Sequence, residues 1–320
     1  MPTIDLPLDE LRTYAGRNPR PDDLEAYWDD ALAELAAVDN QMALEAVSHP
    51  SPIAACFDLW FTGVGGARIH AKHLRPRAQA DPGPGLAVFH GYSMGSPDWF
   101  ALLPYVAQGY SVVALDCRGQ GGKSEDVGGS PGMTLSGHIV RGLAGSPRDL
   151  LYRSIFLDCV QATRILMTLP GVDATRIGAT GASQGGGLTL ACAALEPRVR
   201  AAAPVYPFLS DYQRVWEPDL AERAYAELRD YLRRFDPTHE RAADFFQTLG
   251  YIDVQHLAPR ITADVLMATG LMDDVCPPST QFAAYNKITS RKQMVLYPDF
   301  GHETLPGNDD RILDFFASTL

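Results

Sequence analysis

The stretch from Arg176 to Leu195 does most to limit what this chain can fold into. Arg176-Ile-Gly-Ala-Thr180 is a short apolar run of strand length, and Gln184 to Leu195 reads as a helix. Only the turn around Ser183, in Gly181-Ala182-Ser183-Gln184-Gly185, joins the two. A strand that passes straight into a helix through a serine makes a sharp, strained turn, and that turn presents the hydroxyl at the end of the strand. Gly181 and Gly185, two positions to either side, must be small for the turn to close, and Gly186 and Gly187 extend that tolerance. The G-x-S-x-G pattern signals a nucleophile only with a strand before it and a helix after it, and both are present here.

The rest of the chain supplies the sheet that such a turn needs. Leu86–Phe89, Ser111–Leu115, Val199–Val205, Asp264–Thr269 and Gln293–Tyr297 are further apolar runs. Helical sequence separates several of them, at Trp99–Gln108 and Asp149–Leu169. Short apolar strands with crossover helices predict an α/β fold, a mostly parallel central sheet with helices on both faces. The first 48 or so residues read as helical and polar, with a helix over Asp22–Val38. Phe57–Leu74, broken by Gly63, Gly65 and Gly66, reads as a β-hairpin. Residues 1–80 are thus an N-terminal helical and hairpin extension of a single domain spanning 1–320. From about 210 to 257 the alternation stops and only helices are predicted, with Leu220, Ala224, Leu228, Leu232 and Phe235 near one face. A helical insertion of this kind is expected over the carboxyl ends of the strands, where ligands bind.

Charge excludes some partners. With 27 Lys+Arg against 39 Asp+Glu, the net charge is −12. That is the wrong sign for nucleic acid or an anionic membrane surface. No apolar run reaches the ~18 residues needed to span a bilayer. The first residues show no signal-peptide pattern, and the five cysteines (56, 117, 159, 192 and 276) are scattered without a C-x-x-C pair. Reduced thiols and a cytoplasmic location are the expectation.

A serine hydroxyl needs a base, and in this kind of sheet an acid and then a histidine follow the serine along the chain. His239, His256 and His302 come after Ser183. His302 follows the last predicted strand, on the same sheet edge as the serine. His256 lies in the helical insertion and His239 next to Pro237-Thr238 at an expected helix cap, both read as surface or packing residues. The orienting acid is sought after the preceding strand, where Asp273 is preferred and Asp274 is the fallback. The oxyanion donors are expected from the amide of Gln184 and from the loop Phe89-His90-Gly91-Tyr92, with Tyr92 as donor and His90 structural. His70-x-x-His73 sits in hairpin sequence without a third ligand nearby, so no metal site is expected there. The chain carries no Gly-rich fingerprint for a phosphate or dinucleotide.

Three separated motifs, Arg118-Gly119-Gln120-Gly121, Gly181-Ala182-Ser183-Gln184-Gly185-Gly186 and His302-Glu303, occur in the order found in one family. The chain resembles carbohydrate esterase family seven, the acetyl xylan esterases and cephalosporin C deacetylases, from about residue 20 to the C-terminus. Gly270-Leu-Met-Asp273 and the following Cys276–Asn286 are similar to the family's stretch around its acid. The resemblance implies an α/β-hydrolase fold and a triad of Ser183, Asp273 and His302. It also implies oxyanion amides from Tyr92 and Gln184, and a buttressing role for Arg118 and its motif. By analogy the acyl pocket is small, with Tyr92, Phe208 and Val275 as walls. The family further implies ring-like homohexamers that admit small acetylated molecules, a two-step acyl transfer without metal or organic cofactor, and a perhydrolase side activity.

Overall fold

Apolar runs without polar alternation become central strands because both faces of the sheet are covered. The computed structural model describes residues 4–79, 81–126, 136–217 and 223–320. The strands among them are β1 (Ala43–Val47), β2 (Ala54–Thr62), β3 (Arg68–Pro76), β4 (Gly83–Phe89) and β5 (Ser111–Leu115). They continue with β6 (Val172–Ala182), β7 (Ala201–Val205), β8 (Asp264–Gly270) and β9 (Lys292–Tyr297). They form one sheet in the order β1-β2-β3-β5-β4-β6-β7-β8-β9. β5, β4 and β6 to β9 are parallel neighbours, whereas β1, β2 and β3 extend the sheet antiparallel at the β5 edge.

The helices are α1 (Leu8–Leu11), α2 (Leu24–Ala36), α3 (Trp99–Ala107), α4 (Leu151–Thr168), α5 (Gln184–Leu195) and α6 (Tyr212–Trp216). After them come α7 (Ala226–Phe235), α8 (Ala242–Leu249), α9 (Val254–Leu257), α10 (Pro278–Lys287) and α11 (Asn308–Thr319). Successive residues of β4 and β5 feed two different cores. Ala87, Phe89, Val113 and Leu115 face the core built with α2, α4 and α5, and Leu86, Val88, Val112 and Ala114 face the one closed by α3 and α11. On the first face, Trp28 of α2 is fully buried, stacks on Phe156 of α4 at 5.7 Å and donates its indole N–H to Tyr251 O at 3.0 Å. A buried side chain of this size contributes about 3 kcal/mol of apolar transfer energy.

Three readings of the sequence change. Residues 43–47, read as part of a helical polar segment, are the edge strand β1, most of it exposed. An edge strand with little apolar surface leaves no period-two signal to read. In the insertion, Leu228 and Leu232 are buried, but Ala224 falls in a short 3₁₀ turn (Arg223–Tyr225) ahead of α7, and Phe235 is 60% exposed at the helix end. Leu220 lies outside the described residues. The buried polar residue of that helix is Glu227, which apolar periodicity cannot reveal. Finally, His239 lies in the expected cap region but two residues ahead of the cap position itself. Arg241 takes that place before α8, and Asp236 accepts the amides of Glu240 and Arg241 at 3.1 and 2.9 Å.

Candidate active site

Six parallel strands deliver their following loops to one edge, and the residues singled out in the sequence meet there. β6 ends at Ala182 and α5 begins at Gln184, so Ser183 is the whole connection. Its backbone stands at φ 58° and ψ −120°, a conformation costly for a residue with a Cβ. Val205 O accepts the Ser183 amide at 3.0 Å, while Ser183 O accepts from Gly187 and Phe208 at 3.1 and 3.0 Å. These bonds over-determine the turn. Close approach explains the flanking glycines, since a Cβ on Gly181 or Gly185 would lie 2.5 or 2.1 Å from Phe89 O.

Ser183 Oγ lies 3.0 Å from His302 Nε2, and His302 Nδ1 lies 2.9 Å from Asp273 Oδ2. Asp273 follows β8 and His302 follows β9. Asp273 is fully buried, and its other oxygen accepts the amides of Val275 and Cys276 at 2.9 and 2.8 Å. With Gln281 Nε2 donating to Oδ2 at 3.4 Å, three contacts besides His302 fix the carboxylate that orients the imidazole. Asp274 is exposed. The ring of Tyr206 packs on that of His302, 4.5 Å away. The order of bonds, carboxylate to imidazole to hydroxyl, lets the imidazole take the serine proton while its other nitrogen stays hydrogen-bonded.

The amides proposed for the oxyanion, those of Tyr92 and Gln184, have no acceptor among the described residues. Gln184 N–H is at the N-terminus of α5, whose dipole favours a developing negative charge. Tyr92 lies in a turn closed by Met94 N–H donating to Gly91 O at 3.1 Å. The Arg118 motif supports both. Gln120 and Gln184 pair their side-chain amides at 2.9 and 3.0 Å, Tyr152 Oη donates to Gln184 Oε1 at 2.6 Å, and Ser93 N–H donates to Gln120 Oε1 at 2.9 Å. Arg118 is fully buried and makes a bidentate pair with Asp158 of α4 at 2.6 and 2.7 Å. Gly119 adopts φ 67°, and a Cβ on Gly121 would lie 2.9 Å from Ser93 O.

Other residues named from the sequence are held elsewhere. His90 donates to Gly91 O and accepts from Cys117 N–H, and burial lowers its basicity. His256 is buried at Pro19 O, while exposed His239 packs on Trp216. His70 is bracketed by Asp58 and Asp116, whereas His73 bonds Val112 O. An odd spacing along a strand puts those two rings on opposite faces. Phe208 is fully buried, its ring against Tyr92 and Tyr225, and Val275 is nearly buried next to Asp273. The ligating atoms of Asp273, Cys276 and His302 lie within 4.8 Å of one another. Asp273 and His302 there are bonded to each other, and burial pushes the Cys276 thiol up, so the thiolate a metal needs is disfavoured. Periodicity and motif spacing missed Tyr206, Tyr152, His138 and Glu227, because each acts on the site from a separate element.

The whole chain resembles proteins already known. A family model described as acetyl xylan esterase matches residues 1–319. The structure of acetyl xylan esterase 1 from Thermoanaerobacterium sp. JW/SL YS485 is 55% identical, covers 98% of this chain and 99% of that one, and superimposes with a TM-score of 0.95. An acetyl xylan esterase from Paenibacillus sp. R4 is 35% identical, with 98% and 100% covered and a TM-score of 0.93. Acetyl esterase Axe7A of Xylanibacter ruminicola is 34% identical over 170 residues, 53% of this chain. That match spans about a third, 36%, of the Xylanibacter protein.

Proposed function

Since the chain belongs to the acetyl xylan esterase family, a family of carboxylic ester hydrolases with the α/β-hydrolase fold, we propose that it removes acetyl groups from small acetylated substrates through Ser183, His302 and Asp273. The observation that carries this reading is the unbroken hydrogen-bonded run from Asp273 Oδ2 through His302 to Ser183 Oγ, at 2.9 and 3.0 Å. His302 Nε2 takes the Ser183 proton as Oγ attacks the acetyl carbon. Asp273 keeps the proton on Nδ1 and favours the imidazolium. The Tyr92 and Gln184 amides bind the oxyanion, where a single such donor is worth about 10² to 10³ in rate. His302 then protonates the leaving alcohol oxygen. Water, deprotonated by His302, attacks the acetyl-enzyme, releasing acetate and returning the proton to Ser183.

The finer readings are also proposals. Acetylated xylo-oligosaccharides and the acetyl ester of cephalosporin C both fit a small acyl site bounded by Tyr92, Phe208 and Val275. Hydrogen peroxide in place of water would attack the same acetyl carbon, giving peracetic acid and free Ser183. Assembly into a homohexamer, as the family resemblance implies, would restrict access to small molecules. The five free, buried cysteines support a reducing, cytoplasmic setting, and no helix among the described residues is long and apolar enough to cross a membrane.

The test is acetate release from acetylated xylo-oligosaccharides, with fluorophosphonate labelling alongside. The reading expects release and a label on Ser183. A protein that neither takes the label nor releases acetate contradicts it.

A further inference from the structure

The helical insertion reaches the oxyanion side of the site through one side chain. Glu227, the second residue of α7, is 8% exposed. A carboxyl buried there must be met by hydrogen-bond donors, and it is. Oε1 accepts a short bond from Tyr92 Oη. Oε2 accepts the backbone N–H groups of Ile139 and Val140 at 2.9 and 3.0 Å. The Tyr92 oxygen in turn accepts the His138 N–H at 3.3 Å. The Tyr92 ring sits edge-on to both His138 and Phe208, and His138 Nε2 meets Ser93 Oγ at 2.9 Å. The turn Gly91–Met94 is therefore fastened at its side chains to α7 and to the segment before α4, while its Tyr92 N–H is left without an acceptor among the described residues.

We infer that Glu227 is a positioning residue: by holding the Tyr92 hydroxyl it fixes the turn and so aims the Tyr92 N–H at the oxyanion. This rests on the ester-hydrolysis reading above. All three groups bonded to Glu227 donate to it, so the ionised carboxylate is the form that fits. A protonated Oε1 would reverse the bond to Tyr92 Oη, and the Tyr92 hydroxyl proton would then need another acceptor.

The charged and titratable groups around it come from several elements. They are Tyr92, His138 and Arg141 from loops, Tyr152 of α4, Tyr212 of α6, and Asp230, Tyr231 and Arg234 of its own helix. Burial dominates and raises the Glu227 carboxyl to about 7. On the acid side, then, protonation of Glu227 loosens the clamp and lowers kcat in addition to the requirement for a neutral general base, so the acid limb of log kcat should report more than one ionisation.

The test is steady-state kinetics on nitrophenyl acetate with Tyr92→Phe, Glu227→Gln, Glu227→Ala and Ser183→Ala, with thermal unfolding of each. At pH 8 the clamp variants should lose roughly tenfold or more in kcat with KM within about twofold, the signature of a contact made mainly in the transition state. The acid limb of Glu227→Gln should relax to a single ionisation, and Tyr92→Phe combined with Glu227→Ala should cost no more than either alone. If Glu227→Ala fails to fold, Tyr92→Phe, which removes one oxygen, still decides. Clamp variants with kcat within twofold of wild type and an unchanged acid limb, beside an inactive Ser183→Ala, would overturn the clamp alone. A Ser183→Ala protein that keeps a tenth of the wild-type rate would overturn the hydrolysis reading, and the clamp with it.

Discussion

Ser183 is held in a strained backbone conformation, and the constraint is steric before it is chemical. A positive φ on a residue with a side chain persists only where neighbours enforce it, and here Val205, Gly187 and Phe208 do so through the backbone. Gly185→Ala is the sharpest residue-level probe of that strain, because its Cβ would sit 2.1 Å from Phe89 O, a backbone atom with no rotamer to move. We expect a loss of about 1–3 kcal/mol in stability, as for other overpacked sites, and a larger proportional loss of kcat as the elbow shifts. Denaturant melts and kinetics on one preparation check both. At this scale the serine, the histidine and the acid were legible because each belongs to a local pattern: an elbow, the loop after the last strand and the loop before it. Asp273 and Asp274 were not separable by local pattern, since adjacent residues differ only in which one the loop turns inward. Glu227 and His138 were not legible, because their roles depend on α7 and the segment before α4 meeting over the turn at Tyr92.

Elements were read well where burial is two-sided. β5 and α5 occupy the residues expected from the apolar runs, β4 and β6 exceed the expected ranges by a few residues, and β9 starts one residue earlier. The edge strand β1 was missed because its backbone pairs while its side chains stay in water, and hydrophobic pattern reports only the latter. Between elements, the Arg118–Asp158 pair ties the loop after β5 to α4 with both side chains fully buried. Removing one partner strands a charge in the core, so Arg118→Met should cost about 3–5 kcal/mol, whereas Arg118→Met with Asp158→Leu should recover much of it. Urea unfolding of the two variants measures the difference. A double variant no more stable than Arg118→Met would mean that the bidentate geometry is required for packing in its own right.

Across the whole molecule, pH acts through two opposed sets of buried groups. Burial lowers His73 and His138 to about 4 and His256 to about 3, against ~6.5 in an unfolded chain. Below ~6.5 the unfolded chain therefore binds protons that the fold refuses, and each histidine costs stability as pH falls toward its folded value. Glu227 and Asp253 do the reverse. Burial raises both to about 7, with the Asp211 charge adding to the effect on Asp253. From ~7 down to ~4 the fold holds protons that the unfolded chain has released, so each of these acids adds stability as pH falls. Between about pH 7 and 5 the two sets act against each other, with buried His90 working alongside the other histidines. Glu227→Gln removes one of the acids, so its Tm should fall more steeply than wild type across that window. A variant whose Tm runs parallel to wild type contradicts the assignment. The central claim is that the triad serves a small-acyl esterase. It is tested most directly by kcat/KM on nitrophenyl acetate, butyrate and octanoate, with Ser183→Ala measured beside the wild type. We predict a steep fall after acetate and a loss on the order of 10⁶ in kcat for the variant. A preference for octanoate, or a variant that keeps a tenth of the wild-type rate, would contradict it.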